Sequence, residues 1–269
     1  MLELGLLNTF ALGSIIVFGI PHGGLDAAIS RKKGWSATKI HTIYFHVFYL
    51  ILTLLIITLW YFLPLFSLIL FLVISAFHFG YSDLNNSKDI RTAALISHGG
   101  LVPIIIPYFQ TDLVLKFFSI LSGQENAATV ISIINYLIFP WAVFFLIYTF
   151  NVIKSKTYSS SYASLLLIAI LAWIFPPLVS FSIYFCVIHS PRHIFLILNE
   201  MSPQERLRAL KETILYSLIA FLFMFMVGYY LADSYIITDS IIKVVFIGLA
   251  ALTVPHMILI DYIDSSERE

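Results

Sequence analysis

Long apolar runs fill this chain, and short polar interruptions divide them. The runs fall at roughly 4–21, 40–63, 65–80, 92–108, 127–150, 162–176, 178–198, 213–232 and 240–262. Each predicts a membrane-crossing helix, because a helix needs about 20 apolar residues to span a hydrocarbon core of about 30 Å. The stretches 40–80 and 162–198 are too long for one crossing; Pro64 and the pair Pro176-Pro177 divide them, since proline ends or kinks a helix. The third and sixth runs fall short of a full crossing, so the expected architecture is an all-α polytopic bundle of seven to nine segments. Two polar pieces predict helices of their own. In "SPQERLRALKE" (202–212), Ser202 is an N-cap, Pro203 opens the helix and Glu205 completes a capping box. In "TDLVLKFFSIL" (111–121), Leu113, Phe117, Ile120 and Leu121 recur at helical spacing, which predicts a helix lying in the membrane interface.

Composition agrees with the pattern. Hydrophobic residues make up 60% of the 269 and charged residues 11%, against about 25% charged in a soluble domain, and the mean hydropathy is +0.94. A net charge of zero gives no ground for a nucleic-acid partner, and the single cysteine, Cys186, excludes an internal disulfide and a cysteine-based metal cluster. The opening "MLELGLLNTF" lacks a positive n-region and reads as the start of the first membrane segment. Lysines and arginines orient the layout. With the N-terminus outside, Arg31, Lys32, Lys33, Lys39, Lys88, Arg91, Lys154, Lys156, Arg206, Arg208, Lys211 and Arg268 are cytoplasmic, and only Lys116 and Lys243 lie in outer loops. That asymmetry predicts a cytoplasmic C-terminus and a place in the plasma membrane.

On this topology every histidine falls in the cytoplasmic half of the membrane. His22 ends the first span, His41 and His46 open the second, His78 closes the third, and His98 lies early in the fourth. His189 and His193 share the seventh, and His256 is near the end of the ninth. Ionisable groups at this depth are expensive and usually face the bundle interior. His41 and His46, at a helix start near basic residues, read best as interfacial or hydrogen-bonding groups; for His98 and His256 that reading and a ligand role stand level. His22, His78, His189 and His193 each sit in a Gly- or Pro-marked interruption: "GIPHGGLD", "SAFHFGYSD" and "IHSPRH". They are the candidate metal ligands, since imidazole is the commonest metal ligand near neutral pH and histidines four apart share a helix face. Pro191 breaks or restarts the helix between His189 and His193.

Those stretches, together with "TVPHMILIDY" (253–262), resemble the Brp/Blh family of membrane β-carotene 15,15'-dioxygenases over nearly the whole chain. The resemblance implies a single transmembrane catalytic domain over 1–269. It implies Fe(II) as cofactor, β-carotene and dioxygen as substrates, and scission of the central double bond to two molecules of all-trans-retinal. It also implies membrane lipid as surroundings and a functional link to a retinal-binding rhodopsin. The iron ligands it implies are His22, His78, His189 and His193.

Ligating histidines usually donate their other ring N–H to a carboxylate or carbonyl. Asp26, Asp83 and Asp261, each four or five residues after a histidine, are candidates for that role, with His98 and His256 as further pocket groups. Phe77, Phe79, Tyr81, Tyr184 and Phe185 flank the histidines and are candidates for the wall of a substrate tunnel. Two other readings remain. A metal or proton-coupled transporter would spread polar groups through the membrane's depth. A di-iron desaturase or hydroxylase usually carries His-x-x-His-His, and no two histidines are adjacent here.

Overall fold

In a computed structural model the chain is described over residues 5–84, 92–155 and 159–266, which are helical apart from short turns and links; side chains are described except at 155, 159 and 261–266. Among the described residues, seven helices are long and apolar enough to cross a membrane: Leu6–Lys32, Lys39–Phe62, Pro64–Leu84, Gln124–Lys154, Pro177–Asn199, Pro203–Ala232 and Ile237–Ile260. A further apolar pair, Thr92–Gly99 and Leu101–Phe109, is bent by 45° at its break, and the two together have the length and composition of one more span. The expected sixth span is a shorter apolar helix, Ser159–Ile174. The protein is therefore an all-α, multi-pass membrane protein.

Two boundaries and one burial pattern differ from expectation for physical reasons. The third span is longer than its apolar run: Pro64–Leu84 carries the helix through "FHFGYSDL", whose His78, Phe79, Gly80, Asp83 and Leu84 are buried. The polar residues there have partners, so they do not end the helix. The predicted 202–212 helix and the following span form one helix, Pro203–Ala232. It opens with the expected capping box, in which Ser202 N–H donates to Glu205 Oε2 at 2.8 Å and Glu205 N–H to Ser202 Oγ at 3.4 Å. The helix Thr111–Ser122 forms as predicted, but Val114, Phe117, Phe118 and Leu121 are buried within the protein.

The chain divides into two compact units. The first contains residues 13–63 and 190–269. Its core is Leu25, Ala28, Ile29, Met201, Ala209 and Leu259, with Phe45, Ile194 and Ile197 packed against them. Here the Pro-His-Gly-Gly turn meets the helix Pro203–Ala232 at very short range: a Cβ on Gly24 would lie 2.8 Å from Thr213 Cγ2 and 3.1 Å from its Cα. Only glycine allows that approach, and small residues at such crossings are how membrane helices gain contact. Arg31 and Glu212 tie the same elements at 2.6 Å. His46 tethers another pair, donating Nδ1–H to the Thr42 carbonyl at 2.7 Å and accepting from the Tyr216 hydroxyl at 2.9 Å. Most large apolar side chains of Lys39–Phe62 and Pro203–Ala232 face outward, as lipid-facing helices require.

The second unit contains residues 5–12 and 64–189. Leu84, Ala93, Ala94, Tyr148, Val152 and Leu165 form a core that Phe144, Phe145 and Tyr162 cover. Helices Pro64–Leu84 and Thr92–Gly99 are pressed together through glycine: a Cβ on Gly80 would stand 2.8 Å from the Leu95 carbonyl oxygen, and one on Gly99 would strike the Ala76 carbonyl. Trp141 closes the third side, donating its indole N–H to the Ser97 carbonyl at 3.1 Å.

Widened π-type turns occur at Ile15–Gly19, Leu101–Ile105 and Ile183–His189. Each contains or closely precedes a proline, Pro21, Pro103 or Pro191, whose ring removes one backbone donor and displaces the carbonyl it would have met. Two of the three lead straight into a histidine motif. Beside Pro191 the helix narrows from the π-type turn to α-type turns at Ser190 and runs on without interruption within Pro177–Asn199.

Candidate metal centre

Each unit holds its own buried histidine group. In the first, His22 comes from the short helix Ile20–Gly23, His193 from Ser190–Asn199 and His256 from Ile237–Ser266. Their rings meet one another: His22 and His193 have centroids 4.6 Å apart, His22 and His256 4.8 Å, His193 and His256 5.3 Å. Both ring nitrogens of His22 and the Nε2 atoms of His193 and His256 are shut off from solvent. Three imidazoles from three separated segments therefore share one dry space.

A carboxylate orders this group. Asp26, 3% exposed, takes the His256 Nδ1–H on Oδ1 at 2.7 Å and the Tyr49 hydroxyl on Oδ2 at 2.9 Å. The Tyr49 oxygen also lies 3.2 Å from the Leu252 carbonyl. Asp26 follows His22 by four residues, and the histidine it bonds here is His256. The signal for Tyr49 was a tyrosine in the middle of an apolar span, whose hydroxyl must find a partner there.

In the second unit His78 and His189 face each other, with Nε2 to Nε2 at 3.2 Å and centroids 5.0 Å apart. Aromatic rings enclose them: Phe79 lies 5.0 Å from His189, Phe185 stacks on it at 5.8 Å, and Tyr184 is also at 5.8 Å. Phe79, Tyr184 and Phe185 are buried; Tyr81 is half-buried, and Phe77, at 52% exposed, stands on the outer face of its helix.

Behind this pair lies a second carboxylate network. Asp83 Oδ2 accepts from the Tyr184 hydroxyl at 3.2 Å and from His98 Nδ1–H at 3.3 Å. His98 Nε2 meets the Tyr148 hydroxyl at 3.4 Å, so both of its nitrogens are engaged. Asp83 thus bonds His98, fifteen residues on and in the helix Thr92–Gly99. His41 is exposed, on an open groove with Trp35, Tyr44, Phe45, Phe48 and Ile258. Asp261 lies outside the residues whose side chains are described.

The donors suit a transition metal of the iron type. Buried neutral imidazoles are good ligands for iron, zinc, copper and nickel and poor ones for magnesium or calcium. The Asp26–His256 bond supplies the carboxylate support that ligating imidazoles commonly have.

The comparisons with known proteins point the same way. A protein named "Beta-carotene 15,15'-dioxygenase" from an uncultured marine bacterium, 66A03, is 39% identical over 266 residues, 97% of this chain and 95% of that protein. "Probable beta-carotene 15,15'-dioxygenase Blh" of Halobacterium salinarum is 26% identical over 209 residues, 68% of this chain and 59% of the relative. No solved structure matches the chain. The model of the family described as "Beta-carotene 15,15'-dioxygenase" matches residues 13–264, a span that includes both histidine groups and both carboxylate networks, and the chain belongs to that enzyme family.

Proposed function

We propose that this protein cleaves β-carotene at its central 15,15' double bond, using dioxygen and a histidine-held iron(II), to give two molecules of retinal. The observation that carries the reading is the pair of buried histidine groups within a chain of this family. The proposed ligands are His22, His78, His189 and His193, the positions that the family motifs mark. Bound iron(II) would supply the redox partner that dioxygen needs to react with an alkene.

The chain's own residues would do the rest. Scission of one C=C bond by one dioxygen leaves each carbon with one oxygen, so two aldehydes form and no further reductant or proton is consumed. A general acid or base is therefore not required, which fits the commitment of each unit's carboxylate, Asp26 in one and Asp83 in the other, to histidine and tyrosine partners. Phe79, Tyr184 and Phe185 would keep water from His78 and His189 and offer aromatic faces to a polyene. β-Carotene dissolves in the bilayer core, so a membrane enzyme takes it laterally and never has to extract it into water. The charge asymmetry of the loops puts the histidines toward the cytoplasmic side of the plasma membrane, where retinal is released to whatever rhodopsin uses it.

The test is product identity. Detergent-purified protein loaded anaerobically with iron(II) is given β-carotene, then air, and the products are separated by chromatography. Retinal alone supports central cleavage. Longer apocarotenals would contradict the position of cleavage, and intact carotenoid beside bound iron would contradict the substrate.

A further inference from the structure

We infer that His256 is itself a ligand of the metal, presented by a Tyr49–Asp26 clamp, and that His98, its counterpart in the second unit, is not. The inference rests on the proposed reading that the histidines hold iron, and it enlarges the ligand set that the family motifs mark.

The argument is one of tautomer and company. An ionised carboxylate only accepts hydrogen bonds. Asp26 is held in place from two sides, by Tyr49 on Oδ2 and by His256 on Oδ1. The hydrogen of neutral His256 must then sit on Nδ1, and Nε2 carries the lone pair. That nitrogen is closed to solvent, and its ring lies against those of His22 and His193. An imidazole with a fixed tautomer, a carboxylate on one nitrogen and two other imidazole rings packed against it has the usual surroundings of a metal ligand. A burial penalty would otherwise weigh against a histidine–aspartate pair at this depth, since Asp26 and His256 are each only 3% exposed.

His98 begins in the same way and ends differently. Its Nδ1 is also bound to a carboxylate that a tyrosine holds, but its Nε2 faces the Tyr148 hydroxyl, a donor that takes up the lone pair. The Tyr148 ring is almost fully buried and locked in the unit's core, so it is not free to withdraw.

Cobalt(II) tests this without turnover, because its absorption reports the number and kind of ligands. Purified full-length protein is titrated with cobalt(II), and affinity and spectrum are read together. His256→Ala is expected to weaken binding more than 100-fold and to change the spectrum, with added imidazole restoring the parent's bands. Asp26→Asn, which keeps shape and volume, is expected to weaken binding about 10–100-fold, the usual cost of losing a supporting carboxylate, while the ligand-field bands shift. His98→Gln is expected to bind as the parent does. If Asp26→Asn and His256→Ala bind with the parent's affinity and spectrum while His22→Ala loses the metal, His256 is no ligand and the proposed function stands. If parent and His22→Ala alike fail to bind metal, both readings fall.

Discussion

Two buried Tyr–Asp–His arrangements, one in each unit, look alike in sequence and differ in what they can do. Asp26 follows His22 by four residues and Asp83 follows His78 by five. Each carboxylate receives a tyrosine hydroxyl, at 2.9 Å from Tyr49 and 3.2 Å from Tyr184. Each receives the Nδ1–H of a histidine from another helix, at 2.7 Å from His256 and 3.3 Å from His98. The difference lies one atom further on, at Nε2. Around His256 stand two more imidazoles; beside His98 stands the Tyr148 hydroxyl. On the inference drawn above, the same carboxylate device would serve a metal ligand in one place and pin a helix crossing in the other. The third contact decides the role, and it comes from residues far away in the chain.

The largest expected effect separates ligands from everything else. His22→Ala and His189→Ala should abolish iron binding and retinal formation together, whereas His46→Gln, at a histidine held by Thr42 and Tyr216, should keep both. Metal analysis and product chromatography on the same samples check this. Next come the two carboxylates. Asp26→Asn should cost about 10–100-fold in metal affinity. Asp83→Asn should leave affinity nearly unchanged and lower stability by about 1–3 kcal/mol, the cost of poorly satisfied buried polar groups; cobalt(II) titration beside thermal unfolding in detergent separates the two outcomes. Gly80→Ala should cost a similar 1–3 kcal/mol by overpacking against the Leu95 carbonyl, with no direct effect on the metal. The smallest effect is at Ser202→Ala, which removes the capping box of Pro203–Ala232 and should lower stability by about 1 kcal/mol.

Much of this was legible in the residues. Apolar runs located the spans, because a membrane helix satisfies its own backbone and only its side chains meet lipid. Pro64 and Pro176-Pro177 marked real breaks, Pro191 a change from π-type to α-type turns, and Ser202 and Glu205 a real cap. The interruptions around His22, His78, His189 and His193 marked the buried histidine groups. Helix continuity was harder to read. "FHFGYSDL" and "QERLRALKE" look like ends of helices to a hydropathy count, yet the first is stabilised by buried partners and the second by its cap and the Arg31–Glu212 bridge. Partnership was hardest. Asp26 stands four residues after His22, but the hydrogen bond it accepts comes from His256, more than two hundred residues on. Tyr49 and Tyr148 were two of 15 tyrosines, and only the packing of helices singles them out.

The most direct test of the account loads the protein and its four proposed-ligand variants, His22→Ala, His78→Ala, His189→Ala and His193→Ala, with iron(II) under anaerobic conditions. Bound iron and the retinal formed on admitting air are measured in each sample. The account predicts stoichiometric iron and retinal in the parent, and loss of both in every folded variant. A parent that makes retinal without iron, or variants that keep iron and activity at the parent's level, would contradict it.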